Sequence, residues 1–102
     1  MKGLSTRPTH ILVIYDVSDD SRRFELAAAL KRLGLTRVQR SAFVGPCTVA
    51  LISDVKNVSR RIIDFSTDNV QIYPLTPASY RLRIVVGREF RDEGDVAGGY
   101  VV

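Results

Sequence analysis

An α+β fold in the order β-α-β-β-α-β is predicted by three observations. Ile11-Leu12-Val13-Ile14-Tyr15 is an unbroken, β-branched apolar run, the mark of a buried strand. Two later stretches, around Leu26 and around Val55, carry apolar residues at helical spacing. Short runs of strand type, bounded by turn residues, lie between and after them.

The first strand is read over 10–17. A continuous apolar run bounded by a polar turn reads as a strand buried on both faces, hence a central one. It ends in Asp16, a residue depleted in strands. Ser18-Asp19-Asp20-Ser21 supplies helix caps, and the first helix runs to about Leu33. Leu26, Leu30 and Leu33 form its stripe, widened by Phe24, Ala27 and Ala28. Lys31 and Arg32 suit its last turn, and Gly34 stands where a helix is closed by glycine. The alternating segment 37–44 is the second strand, with Val38, Arg40, Ala42 and Val44 on one face and Arg37, Gln39, Ser41 and Phe43 on the other. Gly45-Pro46 is the turn of a hairpin whose third strand is Cys47 to Ile52. Ser53-Asp54 caps a second helix over 55–66. Val55, Val58, Ile62 and Phe65 face inward there, and Lys56, Ser59, Arg60 and Asp64 outward. Val70 to Tyr73 is the fourth strand, stopped by Pro74. This order is the ferredoxin-like plait, with both helices on one sheet face and the other face bare. A fifth segment, 81–86, has no place in it. That segment either extends a sheet edge or pairs with a second copy of the chain.

At 102 residues the chain is read as one domain, 1–90, followed by a flexible acidic tail, 91–102. No apolar run approaches a membrane span or a signal segment. Cys47 is the single cysteine, which fits a reducing cytoplasm. The net charge is +4, and twelve of the fifteen basic residues are arginine. Arginine grips phosphate in a forked geometry, so this balance points to a polyanionic partner.

Asp16 has two readings, an Asx-turn cap that ends the strand or a metal contact. Tyr15 and Phe43 read as packing residues, Phe43 with a role at an interface as a second reading. Arg22 and Arg23 sit against the dipole of the first helix, which calls for a phosphate or carboxylate partner for at least one of them. Arg37 and Arg40 fall on opposite strand faces and are not expected to serve one surface. Arg60 and Arg61 are either a solvated helix face or part of a duplex-binding surface.

The residues Val13-Ile14-Tyr15-Asp16-Val17, Arg22-Arg23, Leu30-x-x-Leu33-Gly34 and Arg37-Val38-Gln39-x-Ser41-x-Phe43-x-Gly45 closely resemble the CRISPR-associated protein two family. That family supplies the small ferredoxin-fold subunit of the spacer-acquisition machinery. The resemblance implies a homodimer with sheets packed face to face and the fifth strand of each chain added to its partner's sheet. It implies binding of a duplex DNA protospacer together with the integrase, CRISPR-associated protein one. It also implies Mg²⁺-dependent endonuclease activity on single-stranded RNA or duplex DNA. By position, Asp16 matches the family's metal-binding carboxylate, and Tyr15, Arg23, Arg37 and Phe43 match its catalytic motif positions. Arg22, Arg23, Arg37, Arg40, Arg60 and Arg61 are the candidate nucleic-acid contacts. Glu25 departs from the family where some members carry a base, and Val44 where many carry Glu. Mg²⁺ takes one or two carboxylates plus waters and substrate oxygens, so a twofold axis uniting two copies of Asp16 supplies what one chain lacks. The alternative is an RNA-binding module on the same plait with no role in CRISPR adaptation. Such modules stack bases on aromatics of the first and third strands.

Overall fold

The computed structural model describes residues 6–90; the predicted acidic tail, 91–102, lies outside them. The elements are β1 (His10–Asp16), α1 (Asp20–Arg32), β2 (Thr36–Gln39), β3 (Ala42–Pro46), α2 (Val49–Ile62), β4 (Asn69–Leu75) and a short α3 (Pro77–Arg81). The four strands form one antiparallel sheet in the order β2-β3-β1-β4, the ferredoxin-like plait.

β1 is central, between β3 and β4, as its apolar run predicts. Its burial nevertheless alternates. Ile11, Val13 and Tyr15 point to the helices and are buried, while Leu12 and Ile14 lie half-buried on the opposite face. The two-sided burial read from the sequence is therefore half supplied by this chain. Val17, Leu26, Leu30, Phe43, Leu51 and Val55 complete the core under the helices.

α1 begins at Asp19, whose side chain accepts from the Arg22 N–H at 2.9 Å, and ends before Gly34 at φ +98°. Phe24 does not widen the core stripe. Two residues from Leu26 is about 200° around a helix, so Phe24 faces solvent and is 72% exposed.

The hairpin differs from its prediction. Arg40 and Ser41 form the turn, splitting the predicted second strand, and β3 is its second half. Gly45 and Pro46 are strand residues paired with Ile11 and His10. Gly45 is required by a close approach rather than a turn. A Cβ there would stand 3.0 Å from Leu35 Cγ and 3.1 Å from Leu51 Cδ2. Gly45→Ala is expected to destabilise the fold by about 1–3 kcal/mol, read by denaturant titration.

Cys47 to Ile52 is not a strand. Thr48 caps α2, its Oγ1 accepting from the Leu51 N–H at 3.0 Å, and the helix starts six residues earlier than Ser53-Asp54 predicts. Helical spacing explains why: Leu51, Val55, Val58 and Ile62 make one stripe, while Val49 is 88% exposed. The helix ends at Ile62, leaving Phe65 in the following loop and exposed. Ser59, predicted outward, is buried. β4 runs through Pro74, which an edge strand tolerates.

Segment 81–86 is not a strand within the chain. Arg81 closes α3, and Leu82, Ile84, Val85 and Val86 are exposed. The chain here folds back over part of the bare sheet face. Tyr80 stacks on His10 at 4.2 Å and 15°, and the Arg83 guanidinium lies 4.3 Å from the Tyr80 ring centre. A cavity of about 490 Å³, lined by Leu12, Val38, Val44, Leu75, Val85 and Phe90 among others, lies between this segment and the sheet.

Candidate functional site

The end of the sheet where β1 stops gathers most of the chemistry-bearing side chains. β1 delivers Tyr15 and Asp16 there, and α1 starts there. The β2–β3 turn and the last turn of α2 lie at the same end, the latter feeding the loop to Asn69, which pairs with Asp16.

Tyr15 and Asp16 are neighbours in sequence and opposites in space. Asp16 is exposed on the bare face, whereas Tyr15 is buried on the helix face, its ring 6.2 Å from that of Phe43. Burial raises the Tyr15 phenol above its ordinary value, against the pull of Arg37. Phe43 has no exposed surface. The task of capping α1 falls to Asp19, so Asp16 is not the cap.

The Tyr15 hydroxyl donates to the Arg40 carbonyl at 3.3 Å. The same carbonyl accepts from Arg37 Nε at 3.0 Å and Nη2 at 2.6 Å. Arg37 also lies over Phe43, its guanidinium 5.5 Å from the ring centre. One turn carbonyl therefore ties β1, β2 and the hairpin together.

Arg22 and Arg23 part company. Arg22 turns inward and donates from Nε to Asp68 Oδ2 at 2.9 Å. Arg23 donates to the Val17 carbonyl at 2.8 Å and pairs with Asp20. Arg23, Arg37 and Arg40 then line one groove of about 190 Å³ with Asp20, Phe24 and Ser41. The expectation that Arg37 and Arg40 serve different surfaces is thus corrected. It assumed an unbroken strand, but Arg40 sits in a turn, where face alternation no longer applies. Arg60 and Arg61 are exposed in the last turn of α2, outside this groove.

Asp68 carries no signal of its own in the sequence. Its side chain is fully buried and accepts six hydrogen bonds: the Ser18 N–H and hydroxyl, Arg22 Nε and Nη2, the Asp64 N–H and the Thr67 hydroxyl. The Arg22 contact and the others hold its carboxyl well below the usual range, against the opposing effect of burial. In sequence Thr67-Asp68-Asn69 looks like any polar turn. Only the pairing across 46 residues with Arg22 gives it away.

Among the described residues no three His, Cys, Asp or Glu side chains come together to hold a metal. No helix among them is long and apolar enough to cross a membrane.

Residues 9–82 match the family model described as CRISPR associated protein Cas2. The chain belongs to the Cas2 family. A Cas2 relative from Korarchaeum cryptofilum, named a CRISPR-associated endoribonuclease, is 35% identical over 78 residues, 76% of this chain and 84% of the relative. The crystal structure of Streptococcus pyogenes Cas2 superposes with a TM-score of 0.67 at 31% identity, covering 76% of this chain and 99% of that one. A Thermoproteus tenax protein named as a fusion of endonucleases Cas1 and Cas2 is 30% identical over 74 residues, 71% of this chain and 28% of the fusion. The Cas2 match thus spans all four strands and both long helices.

Proposed function

We propose that this chain is a homodimeric nucleic-acid-binding subunit of the CRISPR spacer-acquisition machinery, acting beside a Cas1-type integrase and carrying Mg²⁺-dependent endonuclease activity on single-stranded RNA or duplex DNA. The observation that carries this reading is the arginine groove at the Asp16 end of the sheet. Three arginines gathered in one groove are what holding a phosphodiester backbone requires, and Asp16, exposed on the bare face at the same end of the sheet, supplies a carboxylate for metal-assisted cleavage.

The bare sheet face and the exposed Leu82 to Val86 segment support the dimer. Leu12 and Ile14 leave apolar surface that a second copy covers, and segment 81–86 then has a neighbouring sheet edge to join. The Thermoproteus fusion supports a partnership with Cas1.

The residues fit a divalent ion only as a pair of chains. Each copy offers Asp16 on the face that two copies share, and an ion of this class takes one or two carboxylates. When bound, Mg²⁺ supplies Lewis-acid stabilisation and a hydroxide near neutral pH. Asp16 of each copy would hold it. Arg23 and Arg40 keep the phosphate backbone at the sheet end, and Arg37, braced by the turn, fixes the groove wall.

The RNA-module alternative has no comparable support. Tyr15 and Phe43, on the two central strands, both face the helices, and the His10 ring at the open face is already stacked on Tyr80.

Asp16→Ala tests the proposal. Cleavage of duplex DNA and of single-stranded RNA in Mg²⁺ is expected to fall at least about 100-fold, while binding in EDTA and the dimer mass by light scattering stay unchanged. Undiminished cutting by the variant assigns the activity elsewhere. A monomer with no duplex affinity at low salt overturns the scaffold.

A further inference from the structure

The groove between α1 and the β2–β3 turn holds a feature that backbone binding alone does not use. Its lining is Asp20, Arg23, Phe24, Arg37, Arg40 and Ser41. Five of these are polar or charged, and the sixth is a phenyl ring 72% exposed to solvent.

We propose that this groove is a subsite for one unpaired nucleotide, with Phe24 as the platform for its base and Arg23 and Arg40 as the contacts to its phosphate. The inference rests on the nucleic-acid reading above and adds to it a preference for a strand that leaves the duplex.

Three observations carry it. Phe24 is not recruited by the core: it lies on the solvent side of α1, opposite the Leu26 and Leu30 stripe. It immediately follows Arg23, so one turn of helix presents a ring and a cation together. The opposite wall is held in place, because the Arg40 carbonyl accepts from Tyr15 and twice from Arg37 while the Arg40 side chain stays exposed.

The occupant follows from the chemistry. A bare phosphate would leave the ring without a role. An apolar peptide side chain would meet a rim of guanidinium groups. A nucleotide joins an anionic group to an aromatic plane and satisfies both. Within a duplex the base planes are already stacked on each other, so the ring is reachable only by a base at a frayed end or overhang. Asp20 also lines the groove, and its pairing with Arg23 offsets its repulsion of phosphate.

The test compares duplexes of equal paired length, one blunt and one with a short single-stranded overhang, by fluorescence anisotropy in EDTA. The full chain is used as wild type, Phe24→Ala and Phe24→Tyr. Wild type is expected to bind the overhang duplex roughly ten-fold more tightly than the blunt one, the scale of one base–aromatic stack. Phe24→Ala is expected to lose that difference while binding blunt duplex as wild type does, and Phe24→Tyr to keep it. Equal affinity of wild type for both duplexes overturns the subsite alone, as does a preference that survives Phe24→Ala. Failure to bind either duplex overturns the nucleic-acid reading beneath it, and the subsite with it.

Discussion

Asp68→Ala is expected to lower the melting temperature by on the order of 10 °C or more. The substitution removes six hydrogen bonds at once and leaves the Arg22 guanidinium and the Ser18 and Asp64 N–H groups without their acceptor. Removing one member of a buried pair costs far more than the pair contributes, because the survivor keeps its desolvation penalty. Thermal unfolding followed by circular dichroism reads the effect. A shift of only a degree or two would show that water replaces the carboxylate.

The same residue sets an acid response. Its folded carboxyl is held below the ordinary aspartate value of 3.8. The unfolded chain therefore takes up this proton at a higher pH than the folded chain does. The stabilisation is fully present above the ordinary carboxylate range and is lost as pH falls through and below it. Between pH 5 and the onset of acid unfolding, roughly, wild type should lose stability more steeply than Asp68→Asn. Urea midpoints at a series of pH values test this, and parallel curves would contradict it.

Arg40→Glu is expected to weaken duplex binding at least about ten-fold at low salt, with the difference closing as salt rises. Arg40→Ala should reduce the slope of log K against log salt by about one, as follows when one phosphate is no longer neutralised by the protein. Arg40 suits this experiment because its structural work is done by its carbonyl. Melting temperatures of both variants should therefore match wild type. Arg37 does not share this property, since its guanidinium braces the turn and packs over Phe43. An unchanged slope in Arg40→Ala would remove the groove from the interface.

The plait is legible because its central strand and first helix are written in local patterns. Ile11 to Tyr15 is an unbroken run, and the Leu26 and Leu30 stripe has a capping aspartate before it and Gly34 after it. The hairpin is not legible. Gly45-Pro46 has the chemistry of a turn, yet tertiary packing under Leu35 and Leu51 claims that glycine for a strand. Thr48 to Ile52 has strand propensity, yet Leu51 continues a helical stripe whose other members lie downstream. In both places side-chain packing overrides the local turn or strand signal. The site shows the same division. Asp16 draws notice because a carboxylate ends an apolar strand. Asp68 draws none, because its importance lies in a partner 46 residues away. The joint placement of Arg37 and Arg40 depends on where one strand ends.

The three-donor carbonyl at Arg40 has a practical corollary for spectroscopy. A main-chain acceptor persists whatever side chain its residue carries. Position 40 can therefore take a cysteine and a fluorophore or nitroxide without loosening the grip of Tyr15 and Arg37. Cys47 is the sole native thiol, so one conservative replacement there gives a background with a single attachment point. A reporter fixed to that turn would sense the arrival of a nucleic acid at the groove in real time, with the one phosphate contact of the Arg40 side chain given up for it.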